Sequence, residues 1–135
     1  MRGGVDVLLL EDDPALNQLI VEEMEAQGHR VTALHALVDA MQFLKTRRTD
    51  LIVTDLRLPD GDGMELLKIA QALPEPPAVI VVTAFGSVRQ AVKALQAGAD
   101  DFLTKPLDLE FVPTPARAMP SLGVGCWAQH IVRFV

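Results

Sequence analysis

Short apolar runs recur along this chain, each closing on a polar residue and followed by a stretch whose apolar residues fall at helical spacing. Residues 5–10 are apolar apart from Asp6 and lead into Glu11, Asp12, Asp13 and Pro14. Leu51, Ile52 and Val53 lead to Asp55, and the wholly apolar residues 78–82 lead to Thr83. Runs this short with polar bounds read as strands covered on both faces. Residues 29–34 and 101–104 predict two more strands, the last delivering Lys105 ahead of Pro106.

The intervening stretches predict helices. Leu16, Leu19, Ile20 and Met24 line the first, which Asp13 caps, Pro14 opens and Gly28 stops. Leu37, Ala40, Met41 and Leu44 recur at i, i+3, i+4 and i+7 and predict the second. Met64, Leu67 and Ala70 line a third, ended by the proline-rich residues 74–77. Ser87 offers a cap for a fourth, with Val88, Ala91, Val92 and Leu95 on its inner face and Gly98 at its close. Between Asp55 and the third helix, residues 59–63 (PDGDG) predict a turn that ends the strand.

Strands alternating with helices imply a parallel sheet with helices on both faces. Ligands of such sheets bind beyond the carboxyl ends of the strands, where the strand order reverses. Glu11, Asp12, Asp55, Thr83 and Lys105 all fall at those ends, and one pocket can hold them. The 135 residues, half of them apolar, make one domain with a substantial core. A formal charge of −6 without basic clusters argues against this domain gripping nucleic acid. No apolar run approaches the ~20 residues of a membrane span, and the N-terminus lacks the core and cleavage site of a signal peptide, so a cytoplasmic location is expected. Cys126 stands alone and reads as an incidental thiol. His29, His35 and His130 have no ligand spacing and read as surface residues.

Taken singly, the polar strand ends have ordinary explanations: acids at a helix start cap it, and a lysine before proline is usually solvated. Together they point to chemistry. Carboxylates converging at strand ends repel one another unless a cation sits among them, and an all-oxygen, partly hydrated site suits magnesium better than zinc. A cation, the Lys105 ammonium and the Thr83 hydroxyl around a carboxylate are what an acyl phosphate requires, because phosphoryl transfer is catalysed mainly by positioning and charge neutralisation. Asp55 is the expected nucleophile.

The segments LLLEDDP (8–14), DLIVTDLRLPDGDG (50–63), VVTA (81–84) and DFLTKP (101–106) occur in the order and spacing of the receiver domains of two-component response regulators. The chain resembles that family over residues 5–109, and the combination is far more specific than any one segment. The resemblance implies a flavodoxin-like, doubly wound parallel five-stranded α/β sheet of order 2-1-3-4-5. It implies that Asp55 accepts a phosphoryl group from a histidine kinase. It further implies Mg2+ bound by Asp12, Asp55 and the backbone carbonyl of Arg57, with Glu11 acting through water. In the family one variable residue follows the acidic pair, which makes Glu11 and Asp12 the pair and leaves Asp13 as a cap. Thr83 and Lys105 become phosphoryl ligands, Lys105–Pro106 a cis peptide, and Phe102 an aromatic switch coupled to Thr83, with core filling as its rival role. Arg57 and Phe85, two residues past Asp55 and Thr83, are expected to tune dephosphorylation, Phe85 by shielding the acyl phosphate from water. The segment 83–106 is closest to receivers of nitrogen-regulator-type activators, so control of transcription by a longer parent protein is implied.

The pattern departs from the family near the C-terminus. LDLEF begins a fifth helix, but Pro113, Pro115, Pro120, Gly123 and Gly125 oppose its continuation, so helix 5 is expected to be truncated or disrupted. The expected division is a receiver domain over 1–109 and an atypical tail over 110–135, vector-derived or out of frame. Alternatively the tail folds back through Trp127, Ile131, Val132 and Phe134. The face of helix 4, strand 5 and helix 5 commonly carries output or dimer contacts in the family, so an altered output face and a homodimer through it are expected.

Other functions fit less well. A haloacid-dehalogenase-type phosphatase typically has a second Asp two residues after its nucleophile, where this chain has Arg57. A flavin module would want Ser, Thr and Gly where this chain has Glu11, Asp12 and Asp13. An unphosphorylated scaffold would not need all five strand-end residues. The expectation is a signalling module whose only catalysis is phosphoryl transfer to and from its own Asp55.

Overall fold

The computed structural model describes residues 4–83 and 88–104. In chain order the elements are β1 (Asp6–Leu10), α1 (Pro14–Ala26), β2 (Arg30–Leu34), α2 (Leu37–Thr46), β3 (Leu51–Asp55), β4 (Arg57–Leu58), β5 (Gly61–Asp62), α3 (Gly63–Gln71), β6 (Ala78–Thr83), α4 (Val88–Gln96) and β7 (Asp101–Thr104). Five strands form one sheet in the order β2-β1-β3-β6-β7, every pair parallel. Counting those strands alone, this is the expected 2-1-3-4-5 order. The reading of residues 59–63 as a plain turn needs refinement, since β4 and β5 pair antiparallel to form a hairpin there.

Period-2 alternation builds two cores, because neighbouring residues of a strand face opposite sides of a sheet. Val7, Leu9, Leu51, Val53, Ile80 and Val82 meet Ile20 and Met24 of α1 on one face. Leu8, Leu10, Ile52, Val79 and Val81 meet Leu37, Ala40 and Leu44 of α2, Leu66, Leu67 and Ala70 of α3 and Ala94 of α4 on the other. No helix among the described residues is long and apolar enough to cross a membrane.

Acids and one histidine extend the ladder at the amino ends of the strands. Asp50 Oδ2 accepts from the Asp6 N–H (2.9 Å), and Asp100 Oδ2 accepts from the Val79 N–H (2.8 Å). His29 Nδ1 accepts from the Val5 N–H (3.2 Å), which puts the ring proton on Nε2. The expectation that His29 lies on the surface is therefore wrong: it is buried, and it satisfies a backbone donor that would be costly to leave unpaired.

Three residues assigned to inner helix faces point outward. Leu19 is 52% exposed, Val92 43% and Leu95 37%. On α1 the buried line runs through Ile20 and Met24, four residues apart, and Leu19 lies about 100° round the helix from it. Among the described side chains of α4, Ala94 is buried, and Leu95 and Val92 stand about 100° and about 160° away from it. Helical spacing was partly right: on α1, Ile20 and Met24 lie in the core and Leu16 packs against it, whereas Leu19 and, on α4, Val92 and Leu95 face outward. The expected cap Ser87, the fifth helix, the 110–135 tail with Cys126 and His130, and the Lys105–Pro106 peptide lie outside the described residues.

At the amino end of β7, Asp101 is half-buried, and the loss of solvation raises its pKa, opposed by the Phe102 N–H and reinforced by neighbouring Asp100. A carboxyl with a raised folded-state pKa stabilises the fold at low pH and loses that contribution as pH rises. Asp101→Asn keeps an acceptor for Phe102 and removes the buried charge. The variant is expected to show a higher urea midpoint than the parent at pH 7, a gap that narrows as pH falls toward the ordinary carboxyl value of 3.8. A lower midpoint at pH 7 would contradict this assignment.

Candidate functional site

The strand order reverses between β1 and β3, which lie side by side while their outer neighbours run to opposite edges. The crevice beyond their carboxyl ends is therefore where a ligand is expected. β1 ends at Leu10 and places Glu11 and Asp12 there; β3 ends at Asp55 itself. Carboxylate oxygens of Glu11, Asp12 and Asp55 all lie within 4.8 Å of one another. Glu11 and Asp55 are buried and Asp12 is exposed, so the cluster opens to solvent on one side.

Each acid is held by its surroundings. The Glu11 carboxylate accepts from the Asp13 N–H (3.0 Å) through Oε2. Its carbonyl accepts from the buried Asn17 Nδ2 (3.0 Å) and from His35 Nδ1 (3.1 Å). Asp13 turns the other way and caps α1, accepting from the Ala15 and Leu16 N–H groups (3.0 and 3.3 Å). This supports reading Glu11 and Asp12 as the pair and Asp13 as a cap. Asp55 Oδ1 accepts from the Arg57 N–H (3.0 Å), which ties the carboxylate to the first residue of the hairpin.

The hairpin is fastened on both sides. Asp62 Oδ1 accepts from the Met64 N–H (2.8 Å) and caps α3. Asp60, at the hairpin tip, reaches α2 and accepts from the Leu37 and Val38 N–H groups (2.7 and 2.9 Å). Those bonds hold the Asp60 carboxyl below its ordinary pKa, with Val38 the larger cause and Leu37 next. Beneath the hairpin, the Gly63 N–H donates to the Leu56 carbonyl (2.9 Å).

An acidic trio with oxygen-only donors, one side open to water, fits a hard, partly hydrated divalent cation. It does not fit zinc, which favours nitrogen and sulfur ligands. The family model of the response regulator receiver domain matches residues 7–114, spanning the fold and the trio. The chain belongs to the response regulator receiver domains.

Among relatives, the receiver is 34% identical over 110 residues to the transcriptional regulatory protein ZraR of Salmonella typhimurium, covering 82% of this chain and 25% of that protein. It is 38% identical over 104 residues to the KDP operon transcriptional regulatory protein KdpE of Escherichia coli, covering 77% of this chain and 46% of that one. The chain thus spans a quarter of ZraR and less than half of KdpE. Among solved structures, the Francisella response regulator 1452 receiver domain is 32% identical, with a TM-score of 0.71 over 78% of this chain and 88% of its own. Full-length FixJ from B. japonicum is 30% identical, with a TM-score of 0.73 over 78% of this chain and 52% of its own.

The receiver fold brings Glu11, Asp12 and Asp55 together, as the sequence reading expected. Arg57 is exposed beside Asp55. Thr83 closes β6, one residue past Val82, the register partner of Asp55. Phe102 is half-buried against the core shared by α2, α3 and α4. Lys105 and Phe85 lie outside the described residues, although β7 ends at Thr104, immediately before Lys105. Asn17, His35 and Asp60 were not singled out from sequence as parts of the site's support. Each acts on a residue remote in sequence or on a backbone atom, and no local pattern marks such a partner.

Gly63 opens α3 directly behind the candidate phosphoacceptor, and a Cβ there would run into the Asp55 carbonyl oxygen and crowd Leu56 Cα (3.1 Å). Helix propensity alone would favour alanine by about 1 kcal/mol. Backbone cannot yield as a flexible side chain can, so the overlap is expected to win. Gly63→Ala should destabilise the receiver by about 1–3 kcal/mol in urea titration. A neutral or stabilised variant would show that the close approach is easily relieved.

Proposed function

We propose that this receiver is a phosphorylation-controlled signalling module in which Asp55 accepts a phosphoryl group from a histidine kinase. The observation that carries the proposal is the convergence of Glu11, Asp12 and Asp55 at the reversal of strand order. Asp12, Asp55 and the Arg57 carbonyl would hold Mg2+, with Glu11 acting through water. When bound, the cation would neutralise charge on the phosphoryl oxygens. An Asp55 carboxylate oxygen would attack phosphorus in line, the bond to the donor would break, and the donor would leave with its electron pair. The Arg57 N–H, already on Asp55 Oδ1, would orient the carboxylate for that attack.

Thr83 and Lys105 are the proposed phosphoryl ligands, and the end of β6 beside β3 and of β7 beside β6 supports their approach. Phe102 is the proposed switch residue, and its partial burial against the α4-side core supports coupling to that face. Val92 and Leu95, exposed on α4, support an output or self-association surface there. Arg57 and Phe85 are proposed to tune dephosphorylation. The receiver is taken as residues 1–109, with 110–135 an atypical tail. The names of ZraR and KdpE support transcriptional control by a longer parent protein; the only catalysis proposed for the receiver itself is phosphoryl transfer to and from Asp55.

Incubation with acetyl phosphate and Mg2+ should add one phosphoryl group by intact mass, and Asp55→Asn should abolish it, as should chelation of the cation. Persistence of the modification in Asp55→Asn, or its absence from the parent chain, would overturn the proposal.

A further inference from the structure

The hairpin carrying Arg57 is clamped to α2. Helix α2 starts at Leu37 after Ala36, whose side chain makes no capping bond. Its first two N–H groups go instead to Asp60, more than 20 residues further along the chain, one to each carboxylate oxygen. At the next residue the contact is equally close: a Cβ on Gly61 would lie 2.6 Å from Leu37 Cδ2. Asp60 is therefore both the missing cap of α2 and the anchor of the hairpin tip.

That anchor reaches the chemistry through a short path. Asp60 sits in the loop joining β4 to β5, whose register pairs Leu58 with Gly61 and Arg57 with Asp62. Arg57 is the other end of the hairpin, and its N–H donates to Asp55 Oδ1. Leu58 is buried in the α2-side core, so the hairpin has a fixed floor as well as a fixed tip. We infer that Asp60 is a positioning residue for Asp55, holding the hairpin so that the Arg57 N–H stays on the carboxylate and the Arg57 carbonyl stays beside the acidic trio. This rests on the cation and phosphoryl chemistry proposed above for the same site.

The clamp consists of two charge-assisted hydrogen bonds to helix N–H groups at a positive helix end, the arrangement in which a carboxylate is most favourably held. Asparagine offers one acceptor and presents an amide N–H to the second donor, so it keeps half of the clamp. Alanine keeps none. A substitution that weakens α2 without touching the hairpin separates positioning from general stability, and Gln42, exposed in the middle of α2, provides it as Gln42→Gly.

Two measurements on the full chain test the inference. Amide hydrogen exchange should speed up at Leu37, Val38 and Arg57 in Asp60→Ala, less so in Asp60→Asn, while Gln42→Gly leaves Arg57 unchanged. Mg2+ titration followed by amide chemical shifts should give an affinity about tenfold weaker in Asp60→Ala, the range expected when a residue supporting a metal ligand is lost. Asp60→Asn should fall between, and Gln42→Gly should match the parent. Unchanged exchange at Arg57 in Asp60→Ala overturns the positioning role, as does an equal loss of affinity in Gln42→Gly. If the parent chain takes no Mg2+, the proposed function fails and the positioning role with it; if the parent binds and Asp60→Ala binds equally, only the positioning role fails.

Discussion

Mutual repulsion among three carboxylates is the constraint around which this receiver is arranged. Glu11, Asp12 and Asp55 present oxygens within 4.8 Å of one another at the end of the sheet. Two unit charges at such a distance repel by roughly 1 kcal/mol in water and by roughly 3 kcal/mol at an effective dielectric of about 20. Left to relax, three such groups, two of them buried, would tend to move apart. The rest of the fold opposes that relaxation. β1 and β3 are locked side by side by parallel pairing, Asn17 and His35 hold the Glu11 backbone, and the Arg57 N–H holds Asp55.

Stored repulsion of this kind makes a site receptive. A divalent cation bound there would relieve it, and a further anion on Asp55 would then be tolerable. Apolar alternation along β1, β3 and β6 supplies the stability on both faces of the sheet. The hairpin and the two helix caps drawn from it link the site to α2 and α3.

What could be read from sequence was whatever has a local signature. Apolar runs of strand length, Asp13 ahead of Pro14, and acids following the runs at 5–10 and 51–53 each show in a few consecutive residues, and together they led to a parallel sheet with acids at its strand ends; the strand order itself came from the resemblance to the receiver family. Readings that depend on remote partners failed or were not made. His29 looked like a surface residue because nothing nearby in sequence reveals that its ring accepts from Val5 across 24 positions. Asp60 looked like turn punctuation because the helix it caps begins 23 residues earlier. Leu19, Val92 and Leu95 satisfied helical spacing, yet a short helix carries more than one apolar line, and only contact with the sheet decides which line is inside.

The sharing of a cation by Glu11, Asp12 and Asp55 is tested most directly by the thermal midpoint of the receiver as a function of Mg2+ concentration, without any phosphodonor, for the parent chain and Asp12→Asn. A cation that binds the folded chain alone raises stability by about 2.7 kcal/mol at a hundred times its dissociation constant. The expected result is a midpoint that climbs with Mg2+ in the parent and a much flatter response in Asp12→Asn. A parent midpoint indifferent to Mg2+, or an equal climb in both proteins, would contradict the claim that these carboxylates are gathered to share a cation.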